Sequence, residues 1–208
     1  CMAISVAVPV GEATADALIE RLVPRIEKLK VGPYTGGNDV DFGPVITKAS
    51  QDRINRLIES GVDQGADLVV DGRGLKIQGY EDGFFCGPSL FDRATPEMDI
   101  YREESFAPVK AIVRVNGVEE AVACANDNEY GLSSAVFGGD IARAFNVARK
   151  IDSGICHVNG PTVHDEAQMP FGGVKGSGIG RFGGKAGIAE FTELRWITMQ
   201  TTPRHYPF

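Results

Sequence analysis

At 208 residues the chain can form one large domain or two small ones around a substantial core. Hydrophobic residues make up 43%, charged residues 24% and aromatics 8%, an ordinary globular composition. Twenty-eight acidic against 21 basic residues give a formal charge of -7, which argues against nucleic acid or an anionic membrane as partner, since either wants a basic face. No apolar run reaches the roughly 18–20 residues of a bilayer span, and no signal peptide is visible. Four cysteines (Cys1, Cys86, Cys124 and Cys156) stand far apart, with no C-x-x-C pair and no histidine at metal-ligand spacing. They predict no disulfide framework and no metal site, and point to a reduced, cytoplasmic protein. Cys86, Cys124 and Cys156 read as small core residues.

Strand-like and helix-like segments alternate along the chain, the signature of α/β architecture. A β-branched run, Ile4–Val10, predicts a strand, and Ala13–Lys30 predicts a helix through Leu18, Leu22, Ile26 and Leu29. Residues 33–44, studded with glycine, read as a loop. Ser50–Gly61 reads as a helix with Ile54, Leu57 and Ile58 on one face, Ser50 as N-cap and Gly61 as its stop. Short strands follow at Leu68–Val70, Phe84–Leu90 and Ala111–Val115, then a helix at Val118–Asn126. Ala135–Phe137 predicts a buried strand, Ile141–Lys150 a helix and Ile155–Val158 a strand. Gly160–Gly184 is a glycine-rich connection long enough to be functional. A short helix at Lys185–Phe191 and a strand at Arg195–Gln200 close the chain.

Three motifs stand in order: Tyr101-Arg102-Glu103-Glu104-Ser105-Phe106-Ala107-Pro108-Val109, Asn128-Glu129-Tyr130-Gly131-Leu132-Ser133-Ser134-Ala135-Val136-Phe137, and Pro170-Phe171-Gly172-Gly173-Val174-Lys175-Gly176-Ser177-Gly178. Together they resemble signatures of the NAD(P)-dependent aldehyde dehydrogenases, and the resemblance covers the whole chain. It implies the catalytic domain of that fold, a mostly parallel sheet flanked by helices, over residues 1–191. Residues 192–208 are expected to form an oligomerisation strand and tail, giving a homo-oligomer. In the family a nucleophilic cysteine precedes all three motifs, followed by a strand much like Met2 to Val10, so the resemblance implies Cys1 as the catalytic thiol. The second glutamate of the first motif, Glu104, is then expected to accept hydrogen bonds from the nicotinamide ribose, and Phe106 to pack on the nicotinamide. Ala107 stands where the motif usually has glycine.

The segment from Asn159 to Phe171 is similar to aldehyde dehydrogenases acting on salicylaldehyde, benzaldehyde and vanillin, and implies Phe171 and Gln168 as substrate-binding residues. An aromatic ring there suits a planar apolar aldehyde. Residues 1 to about 97 are instead closer to methylmalonate-semialdehyde dehydrogenases, whose thioester passes to coenzyme A. The family's dinucleotide-binding domain, oxyanion-binding asparagine and deacylating glutamate lie upstream of the cysteine. The chain alone is therefore expected to be inactive, and a non-catalytic assembly module is a further reading. Choice between NAD and NADP is set in that upstream domain.

Two tempting patterns carry less. Gly178-Ile179-Gly180-Arg181-Phe182-Gly183 matches G-x-G-x-x-G, but a dinucleotide loop must follow a strand and open a helix of a βαβ unit, and too little chain follows. His157 and His164 with Asp165 suggest a triad, but spacing alone places no general base.

Overall fold

The computed structural model describes residues 1–207; Phe208, the last residue of the expected tail, lies outside the described residues. Its main element is a four-stranded sheet in the order β1 (Val6–Ala7), β4 (Val109–Ile112), β3 (Ser89–Asp92), β2 (Asp67–Val70). β1 and β3 both run parallel to β4, and β2 pairs antiparallel with β3. Helix α1 (Glu12–Ile26) covers one face and α2 (Lys48–Asp63) the other.

The period-two alternation of a strand divides the core between those helices. On β4 and its continuation Val109, Ala111 and Val113 face α2, meeting Ile54, Leu57, Ile58 and Phe91, whereas Ile112 and Leu90 face Leu18, Leu22 and Ile26 of α1. Strands buried on both faces read as apolar runs, and the expected strands overlap β3 at Ser89 and Leu90 and β4 at Ala111 and Ile112. Phe91 is fully buried and contributes about 2–3 kcal/mol by burial.

Several boundaries differ from expectation, each for a local reason. α1 ends at Ile26, four residues early; Pro24 removes one backbone donor, and Lys30 instead pairs its N–H with the Asp41 carboxylate. The N-cap of α2 is Thr47, whose Oγ1 accepts from the Ser50 N–H at 3.1 Å. Gly61 does not stop α2; it is buried where a Cβ would lie 3.0 Å from the Phe91 ring. The expected strand Phe84–Leu90 begins only at Ser89, because Pro88 has no N–H to give and Gly87 is pressed against Gly72. The expected strand Ala111–Val115 starts earlier, at Val109, with Val115 in an isolated bridge to Val10. Residues Tyr34–Asp39 form 3-10 turns inside the expected loop.

Beyond α3 (Asp99–Arg102) and α4 (Val118–Asn126) the architecture becomes thinner. β6 (Ser133–Val136) pairs parallel with β7 (Ile155–Val158) through α5 (Ile141–Ala148), and β5 (Tyr130–Gly131) pairs antiparallel with β8 (Val174–Lys175). The strand expected at Ala135–Phe137 is half-buried only, with Phe137 70% exposed. Cys86 is buried as expected, but Cys124 and Cys156 are half-buried. α6 (Gly184–Glu190) is the last regular element. The strand expected at Arg195–Gln200 is absent: residues 193–200 are exposed and outside any helix or strand. An isolated extended segment has no ladder to join, so the strand pattern there goes unexpressed. Among the described residues no helix is long and apolar enough to cross a membrane.

Candidate active site

Cys1 is exposed, and the segment after it is drawn onto β4. The Ala111 N–H donates to the Ser5 carbonyl at 3.0 Å, and the Lys110 ammonium donates to the Ile4 carbonyl. Partial burial pushes the Lys110 pKa down from the ordinary lysine range. Val6 pairs with Ala111 and Ala7 with Ile112, so the segment that follows Cys1 runs beside the segment that follows Phe106. The expected thiol and the expected cofactor loop therefore share the amino-terminal edge of neighbouring parallel strands.

The loop itself leaves α3 at Glu103, whose N–H donates to Asp99 O at 2.8 Å, and enters β4 after Pro108. Its shape is unusual. Phe106 has φ of 43°, in the left-handed region that non-glycine residues rarely adopt, and its ring is 67% exposed. Glu104 is exposed, and its carboxylate takes no hydrogen bond among the described residues. Ser105 between them is buried. Arg53, on the second turn of α2, donates from Nη1 to the Glu104 carbonyl at 3.0 Å and from Nη2 to the Ser105 carbonyl at 2.6 Å. Ala107, in place of the motif's usual glycine, packs its methyl against the core on the α2 side.

The second set of expected residues belongs to the loop between β7 and α6. Asn159, at φ 55°, brackets Gly138 by accepting from its N–H at 2.8 Å and donating to its carbonyl at 3.0 Å. Ser133 Oγ donates to Thr162 O at 2.9 Å, and Thr162 is buried. Phe171 and Phe182 exchange two backbone hydrogen bonds, at 2.8 and 2.7 Å, which close the loop on itself. Arg181 ties the same turn to the Gly173 and Gly180 carbonyls at 2.8 and 2.7 Å. Gly183 has φ of 90°, and a Cβ on it would stand 2.1 Å from the Met169 carbonyl, so backbone approaches backbone there. The 178–183 glycines thus serve loop closure. They follow the two-residue β8 and precede the seven-residue α6, with no βαβ unit. Gln168 is exposed and donates to Glu166 Oε2; Phe171 is half-buried.

The triad alternative finds no support in the geometry. His157 meets His164 edge to face with ring centroids 5.5 Å apart, and His164 lies 3.6 Å from Glu166, not from Asp165. The buried His157 Nε2 has no partner among the described residues. No cluster of His, Cys, Asp or Glu among the described residues is placed to hold a metal ion.

β1 and β4 thus set the segments that follow Cys1 and the Glu104–Phe106 loop side by side, and Gln168 and Phe171 lie on a separate loop. Among the described residues no side-chain hydrogen bond joins the two groups. A concavity of about 540 Å³ between Pro33, Tyr34, Phe42, Tyr80 and Phe84 contains none of these residues. Arg53, Lys110, Arg181 and Asn159 were not anticipated as site residues. Their partners here are backbone carbonyls and N–H groups, which carry no residue signature, so pattern reading could not find them.

The whole arrangement matches known proteins. The aldehyde dehydrogenase family aligns with residues 1–197. A vanillin dehydrogenase of Pseudomonas sp. (strain HR199 / DSM 7063) is 49% identical over 195 residues, 94% of this chain and 39% of that protein. The crystal structure of a salicylaldehyde dehydrogenase from Pseudomonas putida G7, complexed with salicylaldehyde, superposes with a TM-score of 0.89 at 41% identity, covering 100% of this chain and 41% of the other. A Sinorhizobium meliloti structure assigned as a methylmalonate-semialdehyde dehydrogenase and complexed with NAD gives a TM-score of 0.88 at 47% identity, over 96% of this chain and 42% of that one. The chain spans about two fifths of the length of the relatives it matches. From the order of its motifs, its fold and these likenesses, the chain belongs to the aldehyde dehydrogenase family.

Proposed function

We propose that this chain is the catalytic portion of an NAD(P)-dependent enzyme that oxidises an aromatic aldehyde to its carboxylic acid. The observation that carries this reading is the family match over residues 1–197, and the parallel pairing of β1 on β4 supports it by setting the segments that follow Cys1 and Phe106 side by side. A thiol meant to attack an aldehyde beside a hydride acceptor needs that proximity. The residues suit a nicotinamide nucleotide: Glu104 presents an unengaged, exposed carboxylate whose two oxygens can accept from a ribose diol, and the exposed Phe106 ring limits where a planar heterocycle can lie.

The Cys1 thiolate adds to the aldehyde carbon, giving a tetrahedral thiohemiacetal whose oxygen carries the charge. Bound NAD(P)+ supplies the hydride acceptor. Loss of hydride from the former aldehyde carbon leaves a thioester on Cys1, and water cleaves it to the acid while returning the proton to the thiol. Phe171 and Gln168, on a loop held shut by the Phe171–Phe182 bridge and by Asn159, receive the aldehyde. Residues 192–207, with Leu194, Trp196, Ile197 and Met199 exposed, form the assembly tail of a homo-oligomer.

The aromatic preference is supported by likeness to the vanillin and salicylaldehyde dehydrogenases. A second reading, transfer of the acyl group to coenzyme A, is favoured by likeness to the methylmalonate-semialdehyde dehydrogenase. Steady-state comparison of salicylaldehyde with propanal, with and without coenzyme A, separates them. The aromatic reading expects a higher kcat/KM for salicylaldehyde and no need for coenzyme A; preference for propanal, or turnover only with coenzyme A, replaces it with the second.

A further inference from the structure

Phe106 presents a problem that its neighbours solve. A phenylalanine at φ 43° is held against its own preference, and such a conformation persists only when the surroundings enforce it. The angle φ of residue 106 is rotation about its N–Cα bond, so it is set by the orientation of the peptide that begins at the Ser105 carbonyl. That carbonyl accepts from Arg53 Nη2 at 2.6 Å, and the preceding one, of Glu104, accepts from Nη1 at 3.0 Å. The guanidinium is planar, so two donors on one rigid fork fix two successive peptide planes together. Arg53 is itself half-buried on α2, anchored by Ile54 and Leu57 beside it in the core and by the Gln51 amide donating to Phe85 O at 2.8 Å. Downstream, Ser89 N–H holds the Pro108 carbonyl at 2.9 Å. The loop between is therefore fixed at both ends, and the Arg53 fork holds the carbonyl of the peptide that leads into the strained residue.

We propose that Arg53 is a positioning residue: its fork on the Glu104 and Ser105 carbonyls holds Phe106 in the left-handed conformation, and so sets where the Phe106 ring and the Glu104 carboxylate stand for the nicotinamide ribose. The proposal rests on the reading of Glu104 and Phe106 given above. It assigns Arg53 no contact with substrate or cofactor. Lysine cannot replace it fully, since an ammonium lacks the planar fork.

The test uses the complete enzyme that carries this chain, as Arg53→Gln, Arg53→Lys, Glu104→Gln and the double variant Arg53→Gln/Glu104→Gln. Amide hydrogen exchange of the peptide 102–109 in the cofactor-free protein reads the clamp directly. It should accelerate by about tenfold or more in Arg53→Gln, less in Arg53→Lys, and stay parental in Glu104→Gln. NAD+ titration and single-turnover hydride transfer read the consequence: Arg53→Gln should lose about tenfold in each, with an effect that does not add to that of Glu104→Gln. Should Arg53→Gln fail to fold, the smaller changes of Arg53→Lys carry the same comparison. Parental exchange at 102–109 in the Arg53 variants overturns the clamp. Faster exchange with parental NAD+ affinity and hydride transfer, while Glu104→Gln is impaired, overturns the positioning role and leaves the Glu104 reading intact. A Glu104→Gln enzyme with parental affinity and hydride transfer overturns both.

Discussion

The two parts of the chain are built to different standards. Among the described residues every buried apolar side chain except Pro9 and Ala144 lies between Ala15 and Val115, around the four-stranded sheet. The part from β5 onward is made of paired short strands with half-buried side chains, and it exposes Phe137, Ile141, Phe145, Phe182 and Ile188. The first part holds itself together; the second leaves apolar surface of the kind that another protein surface covers. The division teaches where function sits. The expected nucleophile and cofactor loop stand at the edge of the rigid sheet, where a displacement is costly, and the expected substrate residues stand on the looser part, where sequence can vary.

Breaking the chemistry at the edge of the sheet should give the largest effect. Cys1→Ala in the complete enzyme is expected to lower kcat by several orders of magnitude with NAD+ affinity retained; turnover near that of the parent would remove Cys1 from its role.

The next effect tests the rigidity of the first part. Arg114 is nearly buried and joins Asp92 at 2.7 Å and Asp16 at 2.8 Å, also engaging Glu12, so it ties β3, the segment after β4 and α1 at the carboxyl ends of the strands. Arg114→Gln leaves Asp92 buried without its counter-ion and should destabilise by about 3–5 kcal/mol, read by denaturant unfolding. Burial by itself would raise the Asp92 pKa, but hydrogen bonds from Arg114 and from the Arg93 N–H hold it below the ordinary aspartate range. A depressed carboxylate stabilises the fold above its unfolded pKa and loses that contribution as pH falls through the folded value. Parental stability should therefore drop below about pH 4, and Asp92→Asn, weaker at neutral pH, should show a flatter acid limb. A parent and variant with superimposable acid limbs would show that Asp92 is not the group involved.

Smaller effects belong to the looser part. A Cβ on Gly154 would fall 1.8 Å from the Gly172 carbonyl, forcing the β7 start away from the loop that bears Phe171. Gly154→Ala should cost about 1–3 kcal/mol and raise KM for the aldehyde more than KM for NAD+. An unchanged aldehyde KM would show that this contact does not shape the substrate site. Smallest is Phe171→Leu, which keeps apolar volume but loses ring packing worth about 0.5–1.5 kcal/mol. The kcat/KM ratio of salicylaldehyde to propanal should fall by about two- to tenfold, and an unaltered ratio would move aromatic selectivity elsewhere.

The same division marks what the sequence made readable. α2 was legible because Ile54, Leu57 and Ile58 repeat at helical spacing against one dry face, whereas β3 and β4 were met only in part, at Ser89–Leu90 and Ala111–Ile112. Gly61 was misread as a stop because a glycine chosen for contact with Phe91 looks like one chosen for a turn. Among the described residues the Arg195–Gln200 segment has no partner strand, so its strand pattern goes unexpressed. Family membership was legible from three ordered motifs, and the comparisons bear it out. The Arg53 fork was not legible, since its partners are carbonyls that every residue possesses.

The central claim is that Cys1 carries the acyl group. It is tested most directly by mixing the complete enzyme with NAD+ and salicylaldehyde, quenching with acid within one turnover, and mapping the peptides by mass. The account predicts a salicyloyl thioester on the peptide that contains Cys1, formed in step with NADH. NADH formation with the acyl mass on Cys86, Cys124 or Cys156, or on no cysteine at all, would contradict it.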